Sequence, residues 1–472
     1  MIQGTSERLD GILIDRLMLR RYVLVSVSAV LVVLSMVGCS KRQANGPTVT
    51  SFLAGQVVLR DSTIESDDNS GFRVYALARG PEGVDTLGIG VTDADGRFAT
   101  ALRSREEGVY PLYVRRAGGV LKEGQIVVAE GDSATVSITI PGGSRPLLVR
   151  SPQNGAWMAY QNVKQTYNRS LSDLIQRGAA TDENIRQTVL QSSSLMWDVQ
   201  RIYPRTLGAK LGAVESLMML GSLTSPSTDS LIVERIAEIE STNPAFVEAG
   251  RVGWRALARL ENLETAVALL DSMRLSTGIA EQKAALQSEI VLAYQDSLRY
   301  DEARHAANVI LASYNDTDWA DWARSAIYEL DNLRPGQPAP AFRVATRDGR
   351  QVSLETIQTP WVLLEFYEPR NEVYQRELSI REAFLASPSA DDVTVISMSV
   401  EPDDDVNEAF LERGLGGYHV TLANGLEDEI AVRYNVKLLP KRILIRDGVI
   451  VAKYSGTAML DIIADVVGQP SS

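Results

Sequence analysis

The chain has 472 residues, is 45% hydrophobic and 23% charged, and carries a net charge of −13. That length allows about two to four domains with buried cores, and the acidic balance argues against a nucleic-acid-binding surface or a basic membrane-docking face. One cysteine, Cys39, and two histidines, His305 and His419, exclude an intramolecular disulfide, a CxxC redox pair and a Cys-rich zinc site. Composition leaves a carboxylate metal site open, but nothing in the chain calls for a cofactor.

Residues 18–41 read MLRRYVLVSVSAVLVVLSMVGCSK. Arg20 and Arg21 precede an uncharged apolar stretch at 22–37 that is shorter than the roughly 20 residues a spanning helix needs. A small residue, Gly38, then precedes Cys39, which is signal-peptide architecture. It resembles the lipobox of bacterial lipoproteins, with Met36 where Leu is more usual. The resemblance implies cleavage after residue 38 and acylation of Cys39, hence a membrane partner through an N-terminal lipid. Translation is expected to start at Met1 or at Met18. Ser40 is compatible with sorting to the outer membrane of a Gram-negative envelope, and 39–50 reads as a polar tether.

From 51 to 141 short alternating strands dominate: Val57-Val58-Leu59, then 72–77, 109–114 and 135–140. Turn signals between them suggest an all-β sandwich, with a hairpin at Asp95-Gly96. The stretches Gly55-Gln56-Val57, Thr92 to Phe98 and Gly108-Val109-Tyr110 resemble carboxypeptidase regulatory-like sandwiches, which implies a spacer or binding module. Asp93 and Asp95 suit turn chemistry better than calcium.

From 151 to 333 helical periodicity takes over. Two stretches share their offsets: Trp254, Leu257, Leu263, Ala266, Leu270 and Met273 correspond to Val291, Tyr294, Tyr300, Ala303, Ala307 and Ile310. They resemble tetratricopeptide-like helical hairpins, whose stacks make protein-binding surfaces. A plain helical spacer is the alternative. His305 belongs on a helix surface or in a groove.

Pro335, Pro338 and Pro340 mark a boundary, and from 335 to 472 strands and helices alternate. Strands are expected at 361–367, 393–400, 443–446 and 449–454, the last two joined at Asp447-Gly448. Helices are expected at 373–385, 406–413, 430–434 and 458–467, which makes an α/β sandwich on a small mixed sheet. PGQPAPAF with RDGRQVSLE, VTVISMSVEPDDDVNEAFLERG, and RYNVKLLPKRILIRDGVIVAKYSG, in that order, resemble the thioredoxin-like fold. The resemblance is to its membrane-anchored thiol-disulfide oxidoreductase branch (TlpA/ResA-like, related to AhpC/TSA).

The resemblance implies that Pro440 stands at the cis-proline position. It also places the active-site segment at Phe366-Tyr367 through Gln375-Arg376-Glu377. There Asn371 occupies the first cysteine position and Tyr374 the second. Thiol-disulfide exchange runs through a thiolate and a mixed disulfide, and neither an amide nor a phenol replaces it. The expectation is therefore a redox-inactive domain with no catalytic residue. A shallow groove beside Pro440 would take a protein partner, with Tyr367, Tyr374, Arg370 and Lys441 as contacts. Two other readings stand beside this one: an envelope thiol-disulfide oxidoreductase or peroxiredoxin-like enzyme, and an accessory lipoprotein of a surface uptake system.

Overall fold

The computed structural model describes residues 48–60, 68–80, 83–141 and 147–468. The signal stretch, Cys39 and nearly all of the tether lie outside the described residues. The chain divides into two compact units. One holds the described residues up to Arg299 together with Tyr314–Trp319, and the other holds Tyr300–Ser313 and the chain from Ala320 onward.

Among the described residues the first unit opens with eight strands: β1 (Val49–Leu59), β2 (Arg73–Gly80), β3 (Gly83–Val91), β4 (Arg97–Ser104), β5 (Gly108–Arg116), β6 (Gly119–Val128), β7 (Ser133–Ile140) and β8 (Val149–Arg150). They form two four-stranded sheets, ordered β4-β1-β7-β8 and β3-β2-β5-β6. Only β1 and β7 pair in parallel. Alternate residues of both sheets, among them Leu53, Val57, Val74, Leu112, Val136 and Ile138, share one core. This is the period-2 burial that the sequence alternation implies.

The Asp95-Gly96 turn does not close a hairpin. β3 pairs with β2 and β4 pairs with β1, so the turn carries the chain from one sheet to the other. A tight turn fixes a reversal of direction, and which sheet receives the next strand depends on distant side chains. Asp93 serves the turn, its carboxylate accepting the Arg97 N–H at 2.8 Å.

Seven helices follow: α1 (Pro152–Gln176), α2 (Asp182–Ile202), α3 (Leu207–Gly221), α4 (Pro226–Ile236), α5 (Phe246–Leu260), α6 (Leu263–Ser276) and α7 (Ala280–Asp296). Ser151, Thr181, Thr206, Ser225 and Asn262 cap five of them, each accepting the backbone N–H three residues on. Such residues satisfy N–H groups that have no intrahelical partner. The first of the two similar stretches is the pair α5–α6, with Trp254, Leu257, Ala266, Leu270 and Met273 buried.

The second unit contains α8 (Tyr300–Ser313) and, from Ala320 on, α9 (Trp319–Asn332), so the later half of the second similar stretch groups with the C-terminal sheet. Then come β9 (Arg343–Ala345), β10 (Gln351–Ser353), β11 (Trp361–Tyr367), α10 (Glu372–Leu385), β12 (Val393–Ser399), α11 (Asp404–Leu411), β13 (Tyr418–Thr421), α12 (Glu429–Arg433), β14 (Lys441–Arg446), β15 (Val449–Ser455) and α13 (Met459–Val467). The main sheet is ordered β13-β12-β11-β14-β15. β11, β12 and β13 run parallel, while β14 and β15 are antiparallel to their neighbours.

Trp361, Leu363, Val395 and Leu444 pack with α10 and α13 on one face. Val362, Leu364, Phe366, Ile396 and Ile443 pack on the other with residues of β9, β10 and α12. Coverage on both faces explains why β11 is an apolar run and does not alternate. No helix among the described residues is long and apolar enough to cross a membrane.

Candidate functional site

β11 runs through a short turn into α10, and Asn371 is the residue at the junction. Its Oδ1 accepts the Tyr374 N–H at 3.0 Å, and its Nδ2 donates to the Leu439 carbonyl at 3.3 Å. Asparagine is among the best N-cap residues because its short amide reaches the free N–H groups of the first turn. The Leu439–Pro440 peptide bond is cis. Asn371 and the cis-proline loop, far apart in sequence, are thus in direct contact.

Below the helix lies a closed polar layer. Glu365, in the middle of β11, is fully buried. Its carboxylate accepts Arg381 Nε at 2.7 Å, Ser397 Oγ at 2.8 Å and Arg442 Nε at 3.0 Å. Burial pushes the Glu365 carboxyl up, but Arg381 and Arg442 outweigh it and hold it at about 2. Arg442 Nη1 reaches Glu377 at 2.8 Å, and the other Glu377 oxygen accepts the N–H groups of Ala458 and Met459 at 2.8 and 2.9 Å. Glu377 therefore caps α13 from α10. Two carboxylates and two guanidiniums balance in charge, which is the condition for burying any of them. Arg442 Nη2 has no hydrogen-bond partner among the described residues.

Tyr374 sits over this layer. Its ring stacks on Tyr367 with centroids 4.4 Å apart, Phe410 closes the group, and its hydroxyl lies 3.4 Å from Glu365. Burial raises the Tyr374 phenol well above its ordinary pKa and takes Tyr367 to about 12. Both phenols stay protonated at neutral pH. Asn371, expected at the first cysteine position, is an amide engaged in capping, and Tyr374, expected at the second, is a neutral ring in the core.

The structure corrects three of the four groove contacts expected from sequence. Tyr367, Tyr374 and Lys441 are buried; Arg370 alone is exposed. The two tyrosines turn inward because the layer beneath α10 leaves space that rings fill, and Lys441 turns inward to meet Glu329 at 2.8 Å. The surface beside the cis-proline loop shows Leu438 instead, 70% exposed. Sequence reading passed over Glu365, Arg381, Ser397 and Arg442. A signal existed: a carboxylate inside an apolar strand needs a buried cation, and Arg442 lies directly across from Glu365 in the neighbouring strand. His305 is exposed on α8 and His419 lies in β13. No group of three or more His, Cys, Asp or Glu side chains placed to hold a metal ion occurs among the described residues.

Several solved structures match just over a quarter of this chain. The thioredoxin domain of a thiol-disulfide oxidoreductase from Bacteroides vulgatus is 21% identical, with 29% of this chain and 99% of that chain covered and a TM-score of 0.26. StoA from Bacillus subtilis and a thiol-disulfide oxidoreductase from Bacteroides fragilis are each 20% identical, covering 28% of this chain and 99% of theirs at a TM-score of 0.25. No curated protein matches the chain. Residues 335–454, within the C-terminal α/β region, match the AhpC/TSA family.

Proposed function

We propose that this protein is a lipid-anchored component of the cell envelope, at the outer membrane of a Gram-negative bacterium, whose thioredoxin-like domain is redox-inert and serves protein interaction. One observation carries the redox-inert reading: the two thiol positions hold a capping amide and a buried, stacked phenol. Thiol-disulfide exchange needs a thiolate to attack and a second thiol to resolve, and the chain's one cysteine stands at the lipidation position. Anchoring rests on the sequence at 18–41. The two N-terminal sheets suit a carboxypeptidase regulatory-like sandwich acting as a spacer. The α5–α6 pair suits a tetratricopeptide-like hairpin, and such hairpins bind proteins.

Beside Asn371 the surface open to a partner is Arg370 and Leu438. Exposed apolar area next to a cation is a common composition for a contact surface. Alkyne fatty-acid labelling should tag the wild type and not Cys39→Ser, and equal labelling would refute the anchor. Purified protein should reduce no insulin disulfide above background, and turnover would restore the oxidoreductase reading. Partner recovery from detergent extracts should fall in Arg370→Ala and Leu438→Ala if the groove binds. Unchanged recovery in both assigns binding elsewhere.

A further inference from the structure

Lys441 directly follows Pro440, and its side chain is folded inward. Its ammonium donates to Glu329 Oε1 and to the Asn435 carbonyl, each at 2.8 Å. Glu329 lies on α9 and also accepts Lys453 Nζ at 2.7 Å and Asn435 Nδ2 at 3.1 Å. One turn earlier, Ser325 Oγ donates to Asn435 Oδ1 at 3.2 Å, and the Tyr328 hydroxyl donates to the Arg433 carbonyl at 2.9 Å. Positions 325, 328 and 329 share one helix face, and that face holds the segment from Arg433 to Lys441.

Tyr434 and Val436 anchor the start of this segment in the core, and the Pro440 carbonyl accepts the Gly456 N–H at 3.0 Å. Asn435 takes a left-handed φ of +48°. Its turn bonds, Asn435 N–H to Val432 and Val436 N–H to Ala431, both precede Lys437. Beyond them come exposed Leu438, then Leu439, whose carbonyl receives the Asn371 amide. The loop is therefore pinned by Asn371, by the Gly456 N–H at Pro440, and by α9 through Lys441.

We propose that α9 is a clamp that positions the cis-proline loop, with Glu329 as its positioning residue. A helix outside the sheet thereby sets the shape of a surface it does not line. Any partner effect rests on the groove reading above; the clamp itself does not.

The test is hydrogen exchange on the full chain, read over peptides spanning 436–440, with the β11 peptides as internal reference. Loss of a charge-assisted hydrogen bond should speed loop exchange roughly tenfold or more in Glu329→Gln and in Lys441→Met, with β11 unchanged. The double variant should be slower than additive effects of the two singles would make it, since both break the Lys441–Glu329 link while each also breaks contacts of its own. Asp331→Asn, on α9 like Glu329, breaks its 2.8 Å pair with Arg304 of α8 and should leave the loop as in the wild type. Unchanged loop exchange in Glu329→Gln, or additive effects in the double variant, overturns the clamp. A loosened loop with unchanged partner recovery supports the clamp and overturns the groove reading.

Discussion

At the scale of single residues, Glu365 is the centre of a buried charged layer. A carboxylate with no water near it survives only where cations meet it. Arg381 and Arg442 do so, and they hold it at about 2 against an ordinary 4.5. A carboxyl held low in the fold stabilises above its unfolded value, and that stabilisation is lost as pH falls through the folded one. The gap, 4.5 minus about 2, corresponds to roughly 3 kcal/mol. Urea denaturation should lose about this much between pH 5 and pH 2 in the wild type, and correspondingly less in Glu365→Gln. Equal slopes would place the acid sensitivity on other carboxylates.

Tyr374 makes a second case. Because its ring is core and not surface, Tyr374→Ala should cost roughly 3–5 kcal/mol. Tyr374→Phe, which gives up one long hydrogen bond, should cost under about 1 kcal/mol. Similar small losses in both variants would contradict the packing described here.

At the scale of elements, the boundaries follow local chemistry. Ser151 with Pro152, Thr181, Thr206 and Ser225 begin helices where the sequence turns periodic, and Asp447-Gly448 joins β14 to β15 with both residues at positive φ. The Asp95-Gly96 turn is the instructive exception. Gly96 has φ +76°, and a Cβ there would lie 2.0 Å from the Val57 carbonyl oxygen. The turn is pressed against β1, the strand that β4 joins, and this close approach is how the chain changes sheets. Gly96→Ala meets both the backbone strain and the clash, so it should cost roughly 2–3 kcal/mol in thermal or urea unfolding. A near-neutral change would mean the turn relaxes freely.

At the scale of the whole molecule, the C-terminal unit starts earlier than the proline-marked boundary at 335. Its contacts take in Tyr300–Ser313 and the chain from Ala320, and Glu329 neutralises Lys441 and Lys453. A fragment of residues 335–472 keeps the sheet but leaves the buried Lys441 without its carboxylate. It should be less stable than a fragment of residues 300–472 by roughly 2 kcal/mol or more. Urea midpoints of the two fragments decide this, and identical midpoints would return the boundary to 335.

The sequence alone determined what local pattern and residue type control. Alternation implied the N-terminal strands, periodicity implied the helices, and the single cysteine excluded an intramolecular disulfide and a CxxC pair. These are properties of residues and their near neighbours, so they survive without knowledge of the fold. The tertiary structure decided the rest. It sent β3 and β4 to different sheets, turned Tyr367, Tyr374 and Lys441 inward, and joined Glu365 to arginines 16 and 77 positions away and Glu329 to a lysine 112 away. Inward or outward is a competition between desolvation and packing, and its outcome depends on partners that only the folded chain brings together.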